Sequence, residues 1–222
     1  QVVGTGEPQT TITIQGNYRC GDHIIPQGEE CVAGTIVIPR GTEVTSTVQT
    51  ILTGLGITEV TVNAMPRVLV LTSGHEVIEP GESLTPGKIY NSNRAMICGL
   101  LEDLGFHKIT HYHVSDAPEE LESEINHVLQ LSEEADIIIS SGGVSVGLFD
   151  TMPLIYEKLG AQSIYARIQM RPGAASYGAV TPKGQIIFGL SGNPGAAFNG
   201  WHLIVAPTLK RYKGLKNWTT PV

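Results

Sequence analysis

The stretch ADIIISSGGVSVGLFD, residues 135–150, runs three isoleucines into two serines, then two glycines, and ends on an aspartate. A short apolar run rich in β-branched residues is the mark of a strand buried on both faces. Glycines directly after such a strand lack side chains, so the backbone there can approach a ligand closely. Ser140, Ser141 and Ser145 add hydroxyls around Gly142 and Gly143, a composition suited to cradling a phosphate or another anion. Asp150 precedes the next expected helix. An acid beside an anion is repelled unless a divalent cation lies between them. The same residues also read as an ordinary turn with Asp150 as a helix N-cap, and the loop alone leaves both readings open.

The elements on either side repeat the pattern. RVLVLT (67–72) is a second strand of the buried type, followed by a helix in NSNRAMICGLLEDLG. Asn91 is placed to cap that helix, with Met96, Ile97, Leu100, Leu101 and Leu104 on its apolar face and Gly105 at its end. KITHYHV is a strand. SDAPEELESEINHVLQ is a helix with Leu121, Ile125 and Val128 on one face and Asp116 as its N-cap. TMPLIYEKLG is a short helix, SIYARIQM and QIIFGLSG are strands, and NPGAAFNGWHLIVAPTLKRY is the last helix. Alternation of this kind predicts an α/β fold with a mostly parallel sheet and helices on both faces. Ligands in such sheets sit beyond the carboxyl ends of the strands. Three loops fall there: 72–76, 140–150 and 191–194.

Before Pro66 the composition shifts to Thr, Ile, Val and Gly, as in TTITIQ and GTIVIPRGTEV. Residues 1–63 therefore read as a small β-rich segment of a larger domain, with TSTVQTILTGLGI as a helix inside it. Residues 66–213 form the main domain and 214–222 a C-terminal tail. The opening at Gln1 reads as the middle of a domain, so the chain is expected to be part of something longer. The 222 residues are 41% hydrophobic, enough for a core, and carry a net charge of −7. That balance argues against nucleic acid as a partner. No apolar run approaches the length of a membrane span. Three cysteines without a CxxC pair point to free thiols in a reducing, cytoplasmic setting.

Further residues carry chemistry with a bland alternative beside each. Asn193 and Pro194 in SGNPG suit the cap and first turn of the final helix, whose exposed amides attract an anion. Glu76, after a strand, is a candidate Mg²⁺ ligand or a plain loop acid. Arg167 and Arg171, four apart on an expected strand, would share a face and suit an oxyanion, or be surface charges. His111 and His113 alternate on one strand face, and Cys20 lies close to His23. Neither cluster has the spacing of a structural zinc site.

Taken jointly, VLVLTSGHEVIEPGESLTPGKIYNSN, ADIIISSGGVSVGLFD, MRPG and FGLSGNPGAAF resemble the molybdopterin-binding domain of MoeA-type molybdopterin molybdenumtransferases, the family of the gephyrin E domain. The resemblance is strongest over 66–213. It implies a three-layer α/β/α domain of the MoaB/MogA-like molybdopterin-binding fold. It implies insertion of molybdate into adenylylated molybdopterin with Mg²⁺, releasing AMP, in a cytoplasmic homodimer, with a MogA-type adenylyltransferase as a partner. Carried over residue by residue, Ser141, Gly142, Gly143 and Ser145 hold the pterin, as do Ser92, Asn93, Asn193 and Pro194. Asp150 and Glu76 are the catalytic and metal-binding acids, and Arg167 and Arg171 take positions that are usually basic. This chain departs from the family pattern at His23, His75, Asn91, Ala174, Ser191 and Ala196. Those departures leave a second reading, a pterin-binding module or sensor without transferase activity. A third, a MogA-type adenylyltransferase, would carry GGTG where this chain has GGVSVG.

Overall fold

The structure is a computed structural model that describes residues 15–143 and 151–215. The chain divides into two compact units, Gln1–Thr42 and Glu43–Val222.

In the first unit the described residues form turns closed by local bonds, such as Asp22 N to Arg19 O at 3.1 Å and Thr35 N to Val32 O at 3.1 Å. No strand forms among the described residues between 15 and 63. The run GTIVIP, rich in β-branched residues, instead leaves Ile36 78% exposed. β-branched composition alone does not fix a strand when no second strand pairs with it and covers one face. TTITIQ lies almost wholly outside the described residues.

The second unit opens with helix α1, Ser46–Gly54, capped by the Thr45 hydroxyl. Strand β1 is Val68–Ser73, buried at every position. Two short parallel strands follow, β2 (Val77–Ile78) and β3 (Ile89–Tyr90). Helix α2, Ser92–Asp103, takes its N-cap from Asn91, whose side chain accepts from Arg94 N. Then come β4 (Ile109–Val114), α3 (Leu121–Ser132), β5 (Ile137–Ser141), α4 (Thr151–Lys158) and β6 (Gln162–Tyr165). The chain closes with β7 (Tyr177–Val180), β8 (Ile186–Leu190), α5 (Pro194–Gly200), a π-helical turn over Trp201–Val205, and α6 (Ala206–Tyr212).

The main sheet has the order β4-β1-β5-β8-β7-β6. Its first four strands are parallel, and β7 runs antiparallel to both neighbours. Alternate residues of β1 and β5 serve opposite faces. Val68, Val70, Ile137 and Ile139 pack with Ile97 and Leu101 of α2 and with Trp201, Val205 and Leu209. Leu69, Leu71 and Ile138 pack with Ile125 and Val128 of α3 and with Met152 and Ile155 of α4. The result is the expected three-layer α/β/α arrangement. Each fully buried Leu or Ile contributes ~1.5–3 kcal/mol, so this double core anchors the strand ends that carry the site. No helix of the described residues is long and apolar enough to cross a membrane.

Four expectations change. The strand expected over SIYARIQM stops at Tyr165, so Arg167 and Arg171 do not share a strand face. An unexpected strand, β7, pairs there instead. Gly178 carries no side chain because a Cβ would lie 2.2 Å from the Tyr165 ring across the ladder. Helix α3 starts at Leu121 rather than beside Asp116, and it has no side-chain cap. The last helix is interrupted by the π turn. Pro207 has no amide to give to the turn before it and crowds that carbonyl, which the wider turn relieves.

Candidate functional site

A cleft of about 480 Å³ opens beyond the carboxyl ends of β1, β5 and β8. All three loops singled out by position border it, each through described residues: 72–76, 141–143 and 191, 192 and 194.

The loops are packed backbone to backbone. Gly142 has φ +87°, and a Cβ there would lie 2.4 Å from the Ser73 carbonyl oxygen. Gly143 has φ +58°, with a Cβ position 2.6 Å from Ser73 Oγ. Position 142 therefore favours glycine twice over, for conformation and because a backbone atom fills the space, and position 143 chiefly for its conformation. The Gly142 amide donates to Leu190 O at 3.2 Å, so it ties β5 to β8 rather than facing a ligand.

Side chains lock the junction. Ser141 Oγ donates to Ser191 O at 3.0 Å. Asn93, in the first turn of α2, donates through Nδ2 to Ser141 Oγ and to Gly192 O, both at 2.8 Å. One residue thus joins the α2 N-terminus to the β5 and β8 loops. Among the described residues, Asn93 Oδ1 and Ser73 Oγ are buried with no hydrogen-bond partner. Buried polar atoms of this kind are rare in finished structures and are an expected feature of a site that receives a polar ligand.

The wall nearest β2 and β3 is charged. His75 Nδ1 lies 3.4 Å from Glu76 Oε2, with the His75 side chain 89% exposed. Lys88 Nζ donates to the His75 carbonyl and closes this loop. Asn91 is buried. Its Nδ2 donates to Glu79 Oε1 at 2.8 Å and to Thr72 Oγ1 at 2.9 Å. A carboxylate there would face Glu79, whereas the amide supplies two bonds. Burial alone pushes the Glu79 carboxyl up, but the bonds from Asn91 and Arg94 outweigh it and hold the group below its ordinary value. Thr72 Oγ1 also lies 3.1 Å from His111 Nε2 and 3.1 Å from His113 Nδ1.

Asp116 also lines the cleft and accepts from Thr151 Oγ1, the first residue of α4, at 3.0 Å. Deeper, Ser140 bonds to the Tyr156 hydroxyl, and the Tyr156 ring stacks on Tyr177 at 4.7 Å. Burial raises the Tyr156 phenol far above its ordinary value, so it stays protonated.

Of the residues singled out from sequence, Glu76, Ser92, Asn93, Ser141, Gly142, Gly143 and Pro194 line one cleft. Asn193 does not. It caps α5, accepting from Ala196 N at 3.1 Å. Arg167 and Arg171 are exposed and off the lining, in a loop closed by Ile168 N to Ala174 O at 3.2 Å. Ser145 and Asp150 lie outside the described residues. Sequence reading placed Thr72, Ser73 and Ser191 in the bordering loops without giving them a role, and it read Asn91 and Asp116 as helix caps, not as lining residues. Among the described residues, no group of three or more His, Cys, Asp or Glu side chains is placed to hold a metal ion by itself.

Comparison with known proteins bears on this cleft. A family model described as "probable molybdopterin binding domain" matches residues 69–211. A molybdopterin molybdenumtransferase of Staphylococcus epidermidis is 38% identical over 216 residues, covering 96% of this chain and 50% of that protein. One from Staphylococcus aureus is 37% identical over 210 residues, covering 95% of this chain and 49% of that protein. Among solved structures, a molybdopterin biosynthesis MoeA protein from Pyrococcus horikoshii superposes with a TM-score of 0.69 at 28% identity, over 84% of this chain and 45% of that one. A Mog protein of molybdopterin biosynthesis from Mycobacterium ulcerans, at 18% identity and a TM-score of 0.50, shares the fold over 67% of this chain and 97% of that one. The chain spans about half the length of the curated relatives it matches.

Proposed function

The chain belongs to the molybdopterin-binding domain family, and from that premise we propose that its cleft binds adenylylated molybdopterin and serves molybdate insertion with release of AMP. The observation that carries this reading is the convergence of residues 72–76, 141–143, 191, 192 and 194 on one hollow, with Asn93 joining the second loop to the third. The α2 N-terminus, with Ser92 and Asn93 in its first turn, offers amides and a positive dipole end to the phosphate groups of such a ligand. Ser141 and the two glycines form the floor, with Gly143 and Pro194 shaping the space. The orphaned oxygens of Asn93 and Ser73 are matched to ligand donors and hydroxyls.

Mg²⁺ is the ion this reading implies. Mg²⁺ is usually held by one or two carboxylates together with substrate phosphates rather than by a full protein cage. Two described carboxylates, Glu76 and Asp116, line the cleft, and both are oxygen donors, so the residues fit the ion. Asp150 is the third acid of the proposal. When bound, Mg²⁺ would neutralise phosphate charge as the bond to AMP breaks. The protein's own part is to orient the pterin against Ser141 and Asn93 and to hold molybdate beside it. Arg167 and Arg171 are not assigned to that task, since they lie off the lining. A homodimer, a cytoplasmic setting and a MogA-type adenylyltransferase supplying the substrate complete the proposal. The curated relatives' names support the transferase reading over a module without chemistry.

The test is to incubate the purified protein with adenylylated molybdopterin, Mg²⁺ and molybdate. AMP release dependent on molybdate is expected. Tight pterin retention without AMP would replace the transferase with a binding module.

A further inference from the structure

We propose that His111 and His113 are positioning residues of the cleft, which fix the Thr72 hydroxyl and through it the Asn91 amide and the first turn of α2. The inference rests on the reading of the cleft as the pterin site.

The two imidazoles come from β4, the strand at one edge of the sheet, and Thr72 from its neighbour β1. The parallel register pairs Thr72 with His113 and Val70 with His111, so the Thr72 side chain stands between two rings on one face. Its Oγ1 is 3.1 Å from each ring nitrogen. It also accepts from Asn91 Nδ2 at 2.9 Å.

A hydroxyl has one proton to give and two lone pairs to fill. Asn91 can only donate, so it takes one lone pair. One lone pair and one proton remain for the two ring nitrogens, so one ring must donate to Thr72 and the other must accept from it. Burial, reinforced by the Arg94 charge, pushes His111 down to about 4. His111 is therefore neutral near pH 7, and with its one proton on Nδ1 it accepts through Nε2. His113 then donates through Nδ1–H. Every hydrogen-bonding position of the Thr72 oxygen is filled, and the hydroxyl cannot turn.

The constraint passes on. Thr72 and Asn91 are 2% and 3% exposed, so neither can exchange its partner for water at low cost. Asn91 Oδ1 caps α2 at Arg94 N, 3.1 Å away. Its second amide hydrogen goes to Glu79, which is held in turn by Arg94 Nη1 at 2.6 Å. The next two residues are Ser92 and Asn93, which face the cleft. Neither imidazole lines the cleft, so the histidines act through Thr72 and not on the ligand.

Imidazole ¹⁵N spectra of the ligand-free protein should show His111 Nε2 unprotonated and His113 Nδ1 protonated near pH 7. His111→Leu removes the acceptor at similar bulk and should weaken molybdopterin binding about tenfold, the worth of one buried hydrogen bond. His111→Gln, whose amide oxygen reaches the Nε2 position, should recover most of that loss. Thr72→Val removes all three bonds of the hydroxyl and should lose at least as much as His111→Leu, and the double variant should lose no more than Thr72→Val alone, because the bond to His111 is already gone. Spectra showing a proton on His111 Nε2, binding by Thr72→Val equal to wild type, or a fully additive double variant would overturn the proposal. Wild-type protein that fails to bind molybdopterin would instead remove the pterin reading, with the imidazole spectra still deciding the hydrogen-bond arrangement.

Discussion

Gly142→Ala tests the packing of the cleft floor with a magnitude the structure supplies. Gly142 has φ +87°, and a methyl there would meet the Ser73 carbonyl oxygen at 2.4 Å. A side chain in the left-handed region costs ~1–2 kcal/mol. A backbone atom at 2.4 Å cannot rotate away, so β1 and the loop must separate, an overpacking cost of about 1–3 kcal/mol. The sum is a loss of about 2–5 kcal/mol. Gly184→Ala is the matched control, because Gly184 has φ +84° with nothing within 4 Å of its Cβ position. It should lose only the conformational part. Urea unfolding of both variants isolates the clash: with a slope of ~2 kcal/mol/M, the midpoint of Gly142→Ala should fall about 0.5–1.5 M below that of Gly184→Ala. Equal midpoints would mean that the 142–143 loop does not press on β1, and the shared floor of the cleft would be lost with it.

Other outcomes follow from the same geometry. Asn91→Asp should destabilise by about 1.5–3 kcal/mol near pH 7, because it trades a bond to Glu79 for a second carboxylate. The crowded pair raises a folded-state pKa above its unfolded value, so the charge-dependent part of the deficit is absent at low pH and grows as pH rises through the carboxylate range; unfolding free energies at pH 4 and 7 check the sign. Wild-type Glu79 has the opposite sign: its lowered folded pKa adds stability above its ordinary 4.5 that is lost as pH falls below it. Tyr156→Phe leaves the buried Ser140 hydroxyl without its partner and should cost about 1–3 kcal/mol, measured by thermal unfolding. A cost near zero would mean that the Ser140 hydroxyl finds another partner.

The parts of the fold legible in sequence are those set by local patterning. Val68–Leu71 and Ile137–Ile139 read as strands because both faces are apolar, and Asn91 read as a cap because its side chain bonds three residues ahead. The cleft was legible as far as strand ends predict it: three loops at carboxyl ends of parallel strands must lie on one rim. What sequence could not carry is adjacency between distant segments. β7 is short and built of Tyr, Gly, Ala and Val, and its identity as a strand depends on β8 beside it and on the Tyr165 ring that occupies the space over Gly178. Asp116 looks like a cap because it precedes a helix and a proline, yet it accepts from Thr151, thirty-five positions on. The triad of Thr72, His111 and His113 needs the register of β1 on β4, which no spacing within either strand reveals. Arg167 and Arg171 were read with the strand's two-residue period, and that reading fell with the strand.

Binding at a hollow shared by the three loops is tested most directly by a crystal structure of the protein with molybdopterin. Pterin density between the α2 N-terminus and the 141–143 loop, with a ligand atom within hydrogen-bonding distance of Asn93 Oδ1, is the expected result. Density at any other surface, with Asn93 Oδ1 and Ser73 Oγ still unpartnered, would contradict it.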